Sequence, residues 1–256
     1  MYKVVADEKD IKKFSELFIP NEEHYITYFE LVARQKYDPT LSKYKILLTR
    51  VMVPGVIDNN RQKAIEEFYR AVLRLETAIG SYSDIPVPNQ SLVVYGHLEY
   101  QDTLKVLSNV LNEYIQNRTG VGVGVGVTPP NMWEKYTKEL EGSKAAKVKY
   151  RQIDLDTKDE EKIEQVKRLF NRVRMNEYLV MAIETRNGYH IIYEYQDKID
   201  HRQLFEFTAT TKFTKLNTNN EPITDYWFSL TRHPRVVIPG TYQGGFATRI
   251  TDIFTD

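Results

Sequence analysis

The sequence predicts an α+β protein whose second half folds as an antiparallel sheet with helices on one face. Three observations predict it. Between residues 148 and 238 the patterns run strand, helix, hairpin, helix, strand, an order that segregates strands into one layer and helices into another. Two strand-like runs, 178–184 and 189–195, are joined by Thr185-Arg-Asn-Gly188, and Asn-Gly is the strongest short hairpin signal. Segment 158–174 sets Ile163, Val166, Leu169, Phe170 and Val173 at helical spacing on one face.

At 256 residues the chain is long enough to bury a core as one domain or as two fused lobes. With 41% hydrophobic and 12% aromatic residues it reads as globular. No apolar run approaches the roughly 18 residues of a membrane span. The opening Met-Tyr-Lys-Val-Val-Ala-Asp-Glu-Lys-Asp is charged too early for a secretory leader. A cytoplasmic protein with no membrane partner is expected. Zero cysteines exclude disulfides, thiolate zinc sites and cysteine nucleophiles. The net charge is 0, from 35 basic and 35 acidic side chains. Non-specific nucleic-acid binders are usually basic, so any such contact here must rest on a local patch.

The first half reads as a mixed α/β lobe. Residues 8–36 carry a helical pattern through Phe14, Leu17, Phe18, Tyr25, Tyr28, Phe29 and Val32, which Pro20-Asn21 breaks into two helices. Lys45–Val53 reads as a strand closed by Pro54-Gly55. Residues 60–79 repeat apolar positions at helical spacing, with Gly80 as the residue that ends the helix. A strand over 91–98 and a helix over 101–117 follow. The repeat Gly120–Val127 follows no strand and leads to no Gly-Lys-Ser/Thr, so it reads as a connector or loop lid rather than a phosphate loop. A Lys-rich helix over 131–147 comes next. The lobe boundary falls within 118–147, giving lobes of 1–130 and 131–256 in one compact unit.

In the second half, strand 148–156 leads into helix 158–174, the hairpin, a helix over 200–209, and strand-like segments near 225–230 and 235–238. This order is ferredoxin-like or RNA-recognition-motif-like. The first strand ends in Tyr150-Arg-Gln-Ile-Asp-Leu-Asp156. Strand side chains alternate, so Asp154 and Asp156 face the same side. Two adjacent carboxylates repel, and a hard divalent cation, Mg²⁺ or Mn²⁺, is the usual remedy. The alternative is that Asp156 or Thr157 caps the following helix, whose first turn is acidic.

Two further features bear on this site. His190 lies just past the hairpin turn, on a strand that would neighbour the aspartates, and Arg186 sits in the turn. An imidazole or guanidinium beside a metal–carboxylate pair can hold a triphosphate; otherwise His190 is a half-buried sheet histidine. Then Asp225-Tyr-Trp-Phe-Ser-Leu-Thr-Arg-His-Pro-Arg235 supplies a third carboxylate with Arg232 and Arg235. Asp197 and Asp200 compete with Asp225 for that role, and a turn-capping Asp225 with surface arginines is the plain reading.

Taken together, Ile-Asp-Leu-Asp156, then Arg-Asn-Gly-Tyr-His-Ile191, then an Asp followed by arginines and Ile-Pro-Gly-Thr241, resemble the archaeo-eukaryotic primase superfamily, in particular primase-polymerases of viruses and plasmids. Leu31–Asp38 and Leu92–Glu99 are similar to the N-terminal lobe of its members. The resemblance implies a two-lobed primase-type fold with a catalytic sheet lobe. It implies a DNA primase/polymerase in replication, in which Asp154, Asp156 and Asp225 hold two Mg²⁺ or Mn²⁺ ions. His190, Arg186, Arg232 and Arg235 would contact the nucleoside triphosphate. Single-stranded DNA template, met by Arg34, Lys36 and exposed tyrosines, and a separate helicase or primase subunit are the implied partners; the setting is the host cytoplasm if the chain is viral. Gly188 stands where the family carries a serine, with Thr185 or Asn187 as substitutes. Two other functions fit the residues: a primase-like nucleic-acid-binding module without synthesis, and a metal-dependent hydrolase.

Overall fold

The computed structural model describes residues 2–41, 43–56, 60–82, 87–118, 136, 146–216, 222–231 and 234–254. The chain is α+β, built on two antiparallel sheets. The Gly120–Val127 repeat and most of segment 131–147, expected as a helix, lie outside the described residues.

Strand β1 (Tyr25–Arg34) is the spine of the first sheet. It carries β2 (Lys45–Pro54) along one side, and β3 (Leu92–His97) and β4 (Glu99–Asp102) along the other. Beyond them, β5 (Ala146–Val148) pairs with β4, and β12 (Arg235–Val237) pairs with β3. The first sheet thus takes two strands from the second half of the chain. Helices α1 (Glu8–Phe18) and α2 (Arg61–Tyr82) cover one face, where Phe14, Phe18, Phe68 and Val72 meet Phe29, Leu31 and Ala33. Helix α3 (Thr103–Arg118) sets Val106 against Ile26 on the other face.

Two expectations fail here. Segment 25–34 is a strand, not a second helix. It is buried on both faces, so its apolar run is continuous and mimics helical spacing. Tyr25, Ile26, Thr27, Tyr28, Phe29 and Val32 are residues that favour a pleated surface. Helix α2 also continues through Gly80 to Tyr82, since one glycine lowers helix propensity without stopping a helix.

The second sheet has the order β11 (Phe228–Thr231), β6 (Tyr150–Leu155), β8 (Tyr189–Glu194), β7 (Leu179–Glu184) and β15 (Arg249–Thr251), all antiparallel. Helix α4 (Glu160–Arg172) packs Ile163, Val166, Leu169 and Phe170 on its far face, and helix α5 (His201–Thr210) adds Leu204. Asp159 caps α4 by accepting from the Lys162 N–H. Asp156 and Thr157 therefore do not serve as the cap. Strands β9 (Lys212–Leu216) and β10 (Pro222–Tyr226) form a separate ribbon with mostly exposed side chains. A last hairpin, β13 (Tyr242–Gln243) and β14 (Phe246–Ala247), follows the Pro239-Gly240 turn.

One core joins the two sheets. Met181, Ile183 and Ile192 of the second sheet belong to the same buried cluster as Phe29, Leu31, Val94 and Val236 of the first. Where these apolar residues give way to Gln152, Asp154 and His190, a cleft opens between the sheets.

Candidate active site

The cleft has a volume of about 170 Å³ and draws its walls from both sheets. Strand β6 supplies Gln152 and Asp154, with Asp156 one residue beyond its end; the hairpin adds Thr185, Asn187 and His190. From the first sheet and its connections come Arg34, Lys36, Tyr37, Tyr95 and Arg235. The period-two expectation holds: both aspartates line one space. Asp154 pairs in register with His190, and their side chains meet at 3.6 Å, from Nε2 to Oδ1.

The tautomer of His190 follows from its other nitrogen. Nδ1 accepts a hydrogen bond from the Val237 N–H at 3.0 Å, so the proton sits on Nε2, on the aspartate side. Burial pushes its pKa down to about 4, against the attraction of Asp156. His190 is therefore a neutral donor that also ties β12 to the second sheet. The carboxylates move the other way. Burial raises Asp154 despite Lys36 and Arg34. Burial, then repulsion from Asp154, raises Asp156. Lys36 Nζ stands 3.9 Å from Asp156 Oδ1 and compensates the pair only in part.

Arg235 lines the cleft, held from three sides. Its Nη2 is 2.5 Å from Glu30 Oε2, its guanidinium lies 4.4 Å from the Tyr95 ring centre, and its backbone N–H donates to Gln152 Oε1 at 3.0 Å. Glu30 is buried among Arg235, Arg50 and His97. Burial would raise its carboxyl, yet the His97 hydrogen bond, then Arg235 and Arg50, hold it at about 2. Arg186 is not among the residues that line the cleft. Its guanidinium stacks 5.6 Å from the Tyr37 ring and donates to the Gly244 carbonyl at 3.1 Å.

Two glycines explain motif details. At Gly188 a Cβ would fall 1.8 Å from the Leu155 carbonyl oxygen. No serine fits where the turn crosses the aspartate strand. Thr185 and Asn187 line the cleft instead, and the Thr185 hydroxyl accepts from the Gly188 N–H at 3.2 Å. Gly244 has φ 57° and leaves room for Tyr37 and Arg186, whose atoms a Cβ would meet at 2.6 and 2.8 Å.

The third carboxylate is not where the sequence reading puts it. Asp225 sits on the β9–β10 ribbon, ion-paired with Lys215, and does not line the cleft. Residue 229, which pairs with Asp154 on β11, is a serine. Asp200 caps α5, and Asp197 lies in the exposed turn beyond the far end of β8. Among the described residues no cluster of three His, Cys, Asp or Glu side chains could hold a metal. Arg232 lies outside the described residues.

Compared with known proteins, the chain matches no family model, no curated protein and no solved structure. The chemistry of the site rests on its own geometry. Two carboxylates can bind one Mg²⁺ or Mn²⁺ when waters and substrate phosphates complete the shell, which is how Mg²⁺ is commonly held. Sequence reasoning missed Glu30, Tyr37, Tyr95 and Gln152. Glu30 carried a signal: it is a lone acid inside the apolar run Tyr28–Ala33, and such a residue must be paired if buried.

Proposed function

We propose that this chain is a divalent-metal-dependent nucleotidyltransferase of primase-polymerase type, which makes or extends nucleic-acid strands on a single-stranded template. One observation carries the reading: Asp154 and Asp156 face one cleft with neutral His190 opposite them and Arg34, Lys36 and Arg235 across it. Acids alone would repel a triphosphate and cations alone would not hold a metal; side by side they suit a metal–triphosphate. The strand order β11-β6-β8-β7 also agrees with an RNA-recognition-motif-like catalytic sheet. Asp154 and Asp156 would hold Mg²⁺ or Mn²⁺, which when bound neutralises phosphate charge and lowers the pKa of an attacking hydroxyl. The protein's own part is positioning. His190 donates from Nε2 to a phosphate oxygen, Lys36 and Arg34 offset the remaining negative charge, and Tyr37 and Tyr95 wall the cleft.

The placement of Asp225 favours a second reading, a primase-like nucleic-acid-binding module that does not synthesise alone and works with a helicase or primase subunit. A third carboxylate, needed for a two-metal site, is missing from the described cleft. A gel assay decides between them. Labelled ribo- and deoxynucleotides are supplied with Mg²⁺ or Mn²⁺ on single-stranded templates, with and without primer, beside an Asp154→Ala/Asp156→Ala variant. Product from the wild type alone supports transfer, and the no-primer lane tests initiation. Phosphate release in place of pyrophosphate would point to a hydrolase. Folded protein with no product in any lane would leave the binding-module reading.

A further inference from the structure

The face of the first sheet turned away from α1 and α2 carries an excess of positive charge beside an exposed ring. Register places Arg50 opposite Glu30, Lys45 opposite Arg34, and Met52 opposite Tyr28. These side chains share one face, which also carries Arg235 through β3 and β12. Among the described residues four cations, Arg34, Lys45, Arg50 and Arg235, thus lie around the carboxylate of Glu30. Arg50 and Arg235 pair with it. Among the described residues Arg34 and Lys45 have no carboxylate within ion-pair distance. Burial, then the charge of Arg235, lowers the Lys45 pKa, as expected for a cation crowded by cations. Tyr44 is 59% exposed and Met52 54%, an outlay of apolar surface that a sheet edge normally avoids.

We propose that this face, from Tyr44 and Lys45 across β2 to Arg50, is a track on which single-stranded nucleic acid lies on its way into the aspartate cleft. Continuity supports the path, because Arg34, Tyr95 and Arg235 belong both to this face and to the cleft wall. Cations that follow a phosphate backbone beside rings that stack bases are the usual means of holding single strands without reading sequence. An acidic peptide would use the cations but not Tyr44. A chain of zero net charge can bind nucleic acid only through such a local patch. The inference rests on the reading above for its template, and the test separates the two.

The test is a fluorescence-anisotropy titration of whole protein, without metal, against an oligothymidylate of about 20 nucleotides, longer than the roughly 4–16 that one single-strand-binding fold covers. Tyr44→Ala should weaken binding at least about fivefold, while Tyr44→Phe, which keeps the ring, should bind as the wild type does. Lys45→Ala should lower the slope of log affinity against log salt by about 0.7, the loss of one phosphate contact on a single strand. Asp154→Asn should bind at least as tightly as the wild type. Wild-type protein that ignores the oligonucleotide overturns the track, as does unchanged binding in both Tyr44→Ala and Lys45→Ala. Equal affinity for a poly-glutamate peptide of matched charge also overturns it. Oligonucleotide binding without synthesis would uphold the track and sink the enzyme reading; template-dependent synthesis that Tyr44→Ala and Lys45→Ala leave unchanged, with unchanged oligonucleotide binding, would do the reverse.

Discussion

At the scale of single residues, the site stores electrostatic cost that a bound cation would relieve. Asp154 and Asp156 both have raised pKa values, so their ionised forms destabilise the metal-free fold as pH rises through those values. Asp154→Asn should raise the melting temperature at neutral pH without metal. It should also abolish stabilisation by Mn²⁺, which for the wild type reaches about 2.7 kcal/mol at a hundredfold excess over Kd. A variant that melts lower, or still responds to Mn²⁺, would count against the aspartates as ligands. His190 has the opposite sign. Its pKa is 6.5 in the unfolded reference and about 4 when folded, so its contribution is whole above 6.5 and lost as pH falls towards 4. The loss is on the order of 3 kcal/mol. Urea denaturation across that range should show the decline, and His190→Gln should flatten it. Gly188→Ser should cost about 1–3 kcal/mol by overpacking and weaken Mn²⁺ binding as well, because the new side chain strikes the strand that carries the aspartates.

At the scale of elements, β1 and the β9–β10 ribbon decide most. Strand β1 carries Glu30 into the interior and surrounds it with cations. Removing its charge takes the Glu30 carboxylate away from Arg50 and Arg235, and breaking a buried pair in this way costs about 3–5 kcal/mol. Glu30→Gln should show that loss in chemical denaturation at neutral pH. Glu30 titrates at about 2 rather than 4.5, so its contribution is full above 4.5 and disappears as pH falls towards 2. The ribbon gives the contrary expectation. Asp225 is paired with Lys215, whose charge also reaches Asp156, and does not line the cleft; a part-exposed pair of this kind contributes about 0–1 kcal/mol. Asp225→Asn should keep the full Mn²⁺-dependent shift in melting temperature; its loss would restore Asp225 as a ligand.

At the scale of the whole molecule, the two sheets share one buried cluster, in which Ile183 and Ile192 meet residues of the first sheet. Strands β5 and β12 cross from the second half of the chain into the first sheet. Such an arrangement should unfold in one cooperative step, with calorimetric and van't Hoff enthalpies equal. Two separated transitions would mean that the lobes fold independently. No helix among the described residues is long and apolar enough to cross a membrane.

Local pattern was sufficient for much of this. The aspartate strand, the hairpin with His190 beyond its turn, and helices α2 to α5 could all be read from the order of residues, because period and turn chemistry are properties of neighbours along the chain. Asp154 and Asp156 had to share a face once their strand was recognised, and His190 then lay one strand away. Packing between distant segments decided the rest. It made β1 a strand by burying both its faces. It brought Arg34, Lys36 and Tyr95 across to the aspartates, and it turned Asp225 towards Lys215. It also made a glycine obligatory at position 188, through a backbone that crosses more than thirty residues earlier in the chain. None of these leaves a local trace, since which faces meet depends on the fit and burial of whole elements rather than on the spacing within any one of them.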